Sequence, residues 1–179
     1  QFGILAGLVG RWTDDAFPTA YWTRLEKMCD YLATLAGGGD VPMIGDADDG
    51  CVVDAGGDPR DPRQWLAVAA VLFDRGDFKR LAGQAVQAVG GLLGEAGRRA
   101  LDALPPGEPQ PLTSLALAES GLYLLQNGSN REGISVVFDC GPLGMDPLAA
   151  HGHADALSFT LRVFGVDVLV DPGTYDYFT

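Results

Sequence analysis

Basic residues are scarce in this sequence. Its 12 Lys and Arg face 24 Asp and Glu, which gives a formal net charge of −12 over 179 residues. No cluster of Lys and Arg is present, so nucleic acid is not expected as a partner. The same negative charge is unfavourable for an anionic partner. Net charge describes the whole surface, however, and the electrostatic potential inside a single cleft can differ from it.

Cysteine and long apolar runs are scarce as well. The three cysteines, Cys29, Cys51 and Cys140, are too widely spaced for a metal-binding pair or a dense disulfide framework. The longest apolar run, residues 65–73, is far too short to cross a bilayer, so no membrane span is expected. No signal-peptide pattern follows Gln1, so the sequence alone leaves the localisation unknown.

The chain does have an apolar content of 47%, which is enough for a buried core. In residues 1–104 apolar side chains recur at helical spacing, as in Trp22, Leu25, Cys29 and Leu32. Helices are predicted over residues 4–12, 18–36, 65–73, 78–89 and 95–104. The third of these is apolar nearly all round, so we expect it to be buried.

The pattern changes after residues 105–111, a proline-rich segment that excludes helix and central strand and is therefore predicted to be a linker. In residues 112–179 the period becomes two and turn signals multiply. Residues 157–164 and 166–170 flank Gly165, which predicts an antiparallel hairpin. Helices first and strands second predict an α+β chain with two separate parts.

Both histidines of the chain, His151 and His153, lie in one short segment just before this hairpin. On an extended segment, side chains two residues apart point to the same face. Two imidazoles on one face can share a metal ion, or one can bind the metal while the other handles a proton or a substrate anion. The alternative is a pair of surface histidines in a loop.

Asp171 follows the second strand of the predicted hairpin. Folding the chain back at Gly165 is expected to bring its carboxylate close to His153, and a carboxylate beside an imidazole suits Zn²⁺. Alternatively, Asp171 begins a turn with Pro172 and Gly173, which is a common role of aspartate. The local sequence leaves both interpretations open.

Five segments together resemble the heparinase II/III-like family of polysaccharide lyases. They are residues 42–50 (PMIGDADDG), 61–63 (DPR), 141–144 (GPLG), 150–159 (AHGHADALSF) and 169–175 (LVDPGTY). The histidine block followed at this distance by Asp-Pro-Gly-Thr is the specific part of the resemblance. The aspartate block in residues 42–50 is weak evidence by itself.

The resemblance implies the C-terminal part of an incomplete (α/α) toroid over residues 1–104, then the linker 105–111, then the start of an antiparallel β-sandwich over residues 112–179. It also implies β-elimination on an anionic, uronate-containing polysaccharide such as heparan sulfate, heparin or alginate. Such an enzyme must neutralise the uronate carboxylate while a base removes the proton at C5. A periplasmic or secreted location is expected on the same grounds.

By the same resemblance, His151 is the catalytic histidine. His153 and Asp171 match two of the three ligands of a structural Zn²⁺ that would position His151. Asp155 is expected to hold backbone or a histidine in place, and Tyr175 to pack in the sandwich or line its rim.

Asp46 and Asp48 lie in a long Gly- and Asp-rich segment, and such segments inside compact domains are usually functional. A calcium-binding EF-hand loop would need an acidic residue where Gly50 stands, so the calcium pattern fails. We therefore expect these aspartates to line the substrate cleft or to bond backbone there.

The family's catalytic tyrosine and third zinc ligand, a histidine, would fall before Gln1 and after Thr179. We therefore expect the chain to be an internal part of a longer lyase and to be inactive alone. Its exposed edges predict self-association, as a homo-oligomer or an aggregate. Two alternatives are a non-catalytic carbohydrate-binding or scaffold protein of the same fold, and a zinc-dependent hydrolase that uses both histidines as ligands.

Overall fold

A computed structural model describes residues 1–37, 39–42, 44, 53–58, 61–128, 132–142, 144, 147 and 156–173. The chain forms two units, each held together by its own contacts. The helical unit comprises Gln1–Ala36 and Cys51–Pro109, and the sheet unit comprises Gly37–Gly50 and Gln110–Thr179. The sheet unit therefore includes the stretch that carries the aspartate block. The domain boundaries drawn from the sequence stay a prediction.

The described part of the helical unit contains helices of seven to eighteen residues. They are α1 (Phe2–Trp12), α2 (Thr19–Ala36), α3 (Arg63–Phe73), α4 (Gly76–Ala82) and α5 (Gln87–Ala103). None of the described helices combines the length and the apolar character that a bilayer crossing requires.

One predicted helix is wrong in its extent. The helix predicted over residues 78–89 ends at Ala82, because Gly83 takes a φ of 56° and its N–H closes the last turn on the Lys79 carbonyl at 3.2 Å. Within α5 the backbone of Gly94 is not helical, with a φ of 63°, so the helix divides there into two parts. The second part begins after Gly94, where the sequence predicts a helix from residue 95.

Helix α3 forms the centre of the helical unit. Residues 65–70 are buried and residues 71–73 are half-buried, so the prediction of a buried helix is confirmed for the first six of its nine residues. At its start the Asp61 Oδ1 accepts a hydrogen bond from the Arg63 N–H at 3.0 Å, which satisfies one of the unpaired donors of the first turn. The helix thus has its first turn hydrogen-bonded and packs on α2, α4 and α5.

Arg75, between α3 and α4, is the main ionic link of the helical unit. Its guanidinium donates to Glu26 at 2.9 Å and to Asp30 at 3.0 Å, both on α2, and to Asp77 on α4 at 2.7 Å. It also lies 4.0 Å from the centre of the Phe78 ring, a cation–π contact. The side chain is 30% exposed, so it connects the two helices near the surface of the unit.

The described part of the sheet unit forms an antiparallel sheet in chain order. Its strands are β1 (Leu115–Leu117), β2 (Leu122–Asn127), β3 (Ile134–Asp139), β4 (Phe159–Val163) and β5 (Val166–Leu169). Val163 pairs with Val166, so the hairpin predicted at Gly165 is confirmed. Helices followed by an antiparallel sheet confirm the predicted order of the two parts.

The two faces of the sheet differ in burial. On one face Leu124 and its partner Val137 are 0% and 5% exposed. On the other face, which we call the open face, large apolar side chains are exposed. They are Leu125, Ile134, Phe159 and Val166, with exposures from 46% to 64%. An apolar face of this extent is typical of a sheet that another layer covers.

Candidate functional site

One end of the sheet gathers the segments that carry the histidine and Asp-Pro-Gly motifs. Strand β3 ends there at Asp139, β4 begins there at Phe159, and β5 ends there at Leu169. Because all pairings are antiparallel, these three strand ends lie side by side. We call this the motif end of the sheet, and the connection between β3 and β4 that contains both histidines leaves from it and returns to it.

Asp139 makes hydrogen bonds to both ends of that connection. Its N–H donates to the Ser158 carbonyl at 2.9 Å, which joins the last residue of β3 to the residue before β4. Its side-chain Oδ1 accepts the N–H of Gly141 at 2.8 Å, which turns the chain as it leaves the strand. The residue in between, Cys140, donates its N–H to the Gly121 carbonyl at 3.0 Å.

Two glycines, Gly121 and Gly141, allow two backbone segments to approach closely at this point. A Cβ on Gly121 would lie 2.2 Å from the Gly141 Cα, and a Cβ on Gly141 would lie 2.8 Å from the Ser120 carbonyl oxygen. Gly121 also has a φ of 74°, which few side chains tolerate. The turn between β1 and β2 therefore packs backbone against backbone on the first residue of the GPLG motif.

Asp171 stands just beyond β5 at the same end. Its Oδ1 accepts the N–H of Gly173 at 2.8 Å, which is the turn interpretation left open by the sequence. The bond also fixes the direction of the carboxylate. The last recorded pair of β5 is Leu169 with Leu161, so Asp171 stands two residues beyond the paired part of the strand.

A family model described as heparinase II/III-like, C-terminal, matches residues 109–179. These are the residues that form the sheet and its motif end. Residues 109–179 are therefore similar to the C-terminal part of heparinase II/III-like proteins. No curated protein matches the chain.

Solved structures extend the likeness to the helical unit. The heparan sulfate lyase HepC from Pedobacter heparinus is 20% identical, with a TM-score of 0.64 over 98% of this chain and 23% of its own. A mutant of that lyase gives a TM-score of 0.65, and a heparinase III with methylated lysines gives 0.60 over 91% of this chain. At this identity the likeness establishes the fold. The chain spans about a quarter of the length of these lyases.

Among the predicted site residues, only Asp171 is described by the structure. The others lie outside the described residues; they are His151, His153, Asp155, Asp46, Asp48 and Tyr175. The proximity of Asp171 to His153 therefore stays a prediction. Within the described ranges, no group of three His, Cys, Asp or Glu residues is placed to hold a metal ion.

Arg162 on β4 makes the ion pair that links the last two strands. Its side chain is 13% exposed and donates to Asp167 on β5 at 2.6 Å, which holds the pKa of that carboxyl below its ordinary value. Its Nη2 also lies 4.0 Å from the Oδ2 of Asp40, which is 69% exposed. Residue 40 is two positions before the aspartate block, and a pair this long and exposed contributes little to stability.

Sequence reasoning missed Asp139 and Gly121. Asp139 stands two residues before the GPLG motif, at the spacing of an aspartate that bonds a backbone N–H two positions on, and this signal was available. The role of Gly121 depends on a contact with Gly141, twenty residues away in sequence, and no local pattern indicates such a crossing.

Proposed function

We propose that the complete protein is a polysaccharide lyase that cleaves an anionic, uronate-containing polysaccharide by β-elimination. The family match over residues 109–179 is the observation that carries this proposal. The fold likeness to proteins described as heparan sulfate lyases supports it and makes heparan sulfate the first substrate to test. Alginate is a second candidate from the resemblance of the motifs.

His151 is the proposed catalytic histidine. In the elimination, a base removes the C5 proton next to the uronate carboxylate; the C4–O bond then breaks as the C4=C5 double bond forms, and the departing glycosidic oxygen takes a proton from an acid. The intermediate carries extra negative charge on the carboxylate, so the site must supply hydrogen bonds or positive charge there. A histidine can take the proton or face the carboxylate, and both roles need an imidazole held at a fixed position.

His153 and Asp171 are the proposed ligands of a structural Zn²⁺. An imidazole nitrogen and a carboxylate oxygen are donors that Zn²⁺ accepts, and the Gly173 N–H already orients the Asp171 carboxylate. When bound, the ion would supply a fixed anchor for the segment that carries His151. The two ligands would thus hold the neighbouring imidazole in place.

The remaining parts of the proposal concern the residues around the catalytic histidine, the complete fold and the location of the protein. Asp155 would hold backbone or a histidine, Tyr175 would pack in the sandwich or at its rim, and Asp46 and Asp48 would line the cleft. We propose that the helices belong to an (α/α) toroid and that a second sheet covers the open face to complete a β-sandwich. A periplasmic or secreted location and self-association complete the proposal.

The complete protein, offered heparan sulfate, heparin, alginate and chondroitin in turn, tests this function. We expect at least one polymer to yield products with the ultraviolet absorbance of an unsaturated uronate. Cleavage without that absorbance, and lost on chelation, would indicate a zinc-dependent hydrolase instead. Binding without cleavage would indicate a carbohydrate-binding or scaffold protein. Zinc analysis of the same preparation, with His153→Ala as the comparison, tests the metal separately.

A further inference from the structure

Helix α2 presents a positively charged strip to solvent, although the chain as a whole has a formal net charge of −12. The strip lines a shallow groove of about 640 Å³. Leu25 and Cys29, which lie between its members in the sequence, are buried in the helical unit. All residues that line the groove belong to α2 and are exposed; they are Ala20, Thr23, Arg24, Lys27, Met28 and Tyr31. We call them the basic strip.

The charge of the strip arises from the way in which the ion pairs of α2 are divided. The helix carries two acidic and two basic side chains. Both acidic ones, Glu26 and Asp30, are paired with Arg75, at 2.9 Å and 3.0 Å. Among the described residues, no acidic side chain pairs with Arg24 or Lys27. The helix therefore keeps its negative charges inside an ionic network and leaves two positive charges uncompensated at its surface.

Other basic side chains of the helical unit hold the unit together. Arg63 pairs with Asp61 at 2.8 Å at the start of α3. Lys79 donates to the carbonyl oxygens of Leu101 and Leu104 at the end of α5, both at 2.6 Å. The two basic residues of the strip make no such bond within the described chain, so their charges are available to a partner.

We propose that the basic strip binds the acidic polysaccharide that the complete protein cleaves. This inference rests on the proposed function for the identity of the polymer. A surface with an excess of negative charge repels a polyanion, so the encounter requires a local region of opposite sign. Arg24 and Lys27 stand on neighbouring turns of the helix and supply that region.

The shape and the apolar part of the strip suit a polymer better than a small anion. From Ala20 to Tyr31 the strip extends about 16 Å along the helix, at the rise of an α-helix. Met28 is 60% exposed and Tyr31 is 36% exposed, so an apolar side chain and an aromatic ring stand beside the two cations. A phenol ring combines an apolar body with a polar tip, which matches a sugar ring with its hydroxyl groups. The occupant is therefore a segment of an acidic sugar chain.

The test measures the affinity of the complete protein for fluorescently labelled heparan sulfate, in a His151→Ala background that keeps the polymer intact. Replacing Arg24 and Lys27 together by glutamine should raise Kd about 3-fold to 10-fold, as for the loss of two exposed ion pairs. The loss should shrink as salt is added, because salt screens exposed charges. In the protein that keeps His151, the same double variant should raise KM more than it lowers kcat.

An exposed pair on α5 provides the matched control. Arg98 and Arg99 belong to the same unit, and replacing both by glutamine changes the net charge of the chain by the same amount. This control variant should change Kd much less. The exchange Arg24→Lys with Lys27→Arg keeps both charges and should keep the affinity. Glutamine is a good helix former, so the variants should fold, and circular dichroism checks this.

The outcomes separate this inference from the function it rests on. If the unsubstituted protein forms no unsaturated product but loses affinity for heparan sulfate when the strip is neutralised, the proposed function fails and the basic strip stands. An unchanged Kd in the strip variant, or an equal loss in the α5 control, would overturn the strip whether or not the protein is a lyase. So would a loss of binding to phosphatidylserine vesicles with unchanged heparan sulfate affinity, which would indicate a membrane contact instead.

Discussion

In the helical unit, residues 66–70 of α3 have no exposed surface, whereas in the sheet unit every residue of β5 is exposed. The helical unit buries a run of consecutive residues, and the sheet buries one face only. The difference indicates that the described helices supply their own core, whereas the open face of the sheet is left apolar and exposed. The proposed site stands at the end of the less enclosed unit.

The largest effect that sharpens this comparison is expected in α3. Leu66 is completely buried, so Leu66→Ala should lower the free energy of unfolding by about 2–5 kcal/mol through lost burial and the cavity left behind. Val9→Ala on α1, at a side chain that is 50% exposed, should cost less than about 0.5 kcal/mol. Denaturant unfolding followed by far-ultraviolet circular dichroism measures both. Similar losses would contradict the picture of a core centred on α3.

Two neighbours on β2 test whether another layer covers the sheet. Leu124 is buried on one face and Leu125 is 55% exposed on the other. In the 179-residue chain, Leu124→Ala should cost about 2–4 kcal/mol and Leu125→Ala much less. In the complete protein Leu125→Ala should cost about as much as Leu124→Ala, since the proposed second sheet would bury it. A small cost in both contexts would argue against a sandwich over the open face.

A smaller effect is expected at the ionic link of the helical unit. Arg75→Ala removes three ion pairs at once and should cost about 1 kcal/mol, because surface pairs contribute little singly and more in a network. Arg99→Ala is the control, since its pair with Glu95 is 3.9 Å long and largely exposed, and should cost nothing measurable. Thermal unfolding compares the two variants. Equal unfolding midpoints would contradict a stabilising role of the Arg75 ion pairs.

Acid should affect the helical unit slightly more than the sheet unit. Hydrogen bonds from Arg63 and Arg75 lower the pKa of Asp61 and Asp77 from 3.8, while in the sheet unit Arg162 lowers that of Asp167. A folded pKa below the unfolded one adds stability that is complete above 3.8 and is lost as the pH falls through the folded value. Unfolding measured across this range should show a shallower loss in Arg75→Ala than in the unsubstituted chain. An unchanged slope would contradict this assignment for Asp77.

Periodicity predicted the order of helices and strands, the buried helix at residues 65–73 and the hairpin at Gly165, because each depends on neighbours in sequence. It failed at Gly83, where a positive φ ended a helix that the apolar pattern would have continued. Strand β1 was missed because three residues are too few to establish a period. The close approach of Gly121 and Gly141 was missed because it brings the turn between β1 and β2 against a segment twenty residues later in the sequence.

For the candidate site, the residue pattern and the resemblance predict which side chains matter, and the structure describes the strand ends beside them. Leu169 at the end of β5 pairs with Leu161 of β4, and Asp171 makes the turn bond that was one of its two interpretations. The motif end of the sheet follows from antiparallel pairing once the strands are known. The positions of the histidines, and with them the metal, stay predictions.

The most direct test of the central claim is the rate of unsaturated-uronate formation by the complete protein and by its His151→Ala variant on heparan sulfate. We expect product with the unsubstituted protein and a loss of about 100-fold or more in kcat with the variant, as for removal of a positioned acid or base. An unchanged rate in His151→Ala, alongside an active parent, would contradict it.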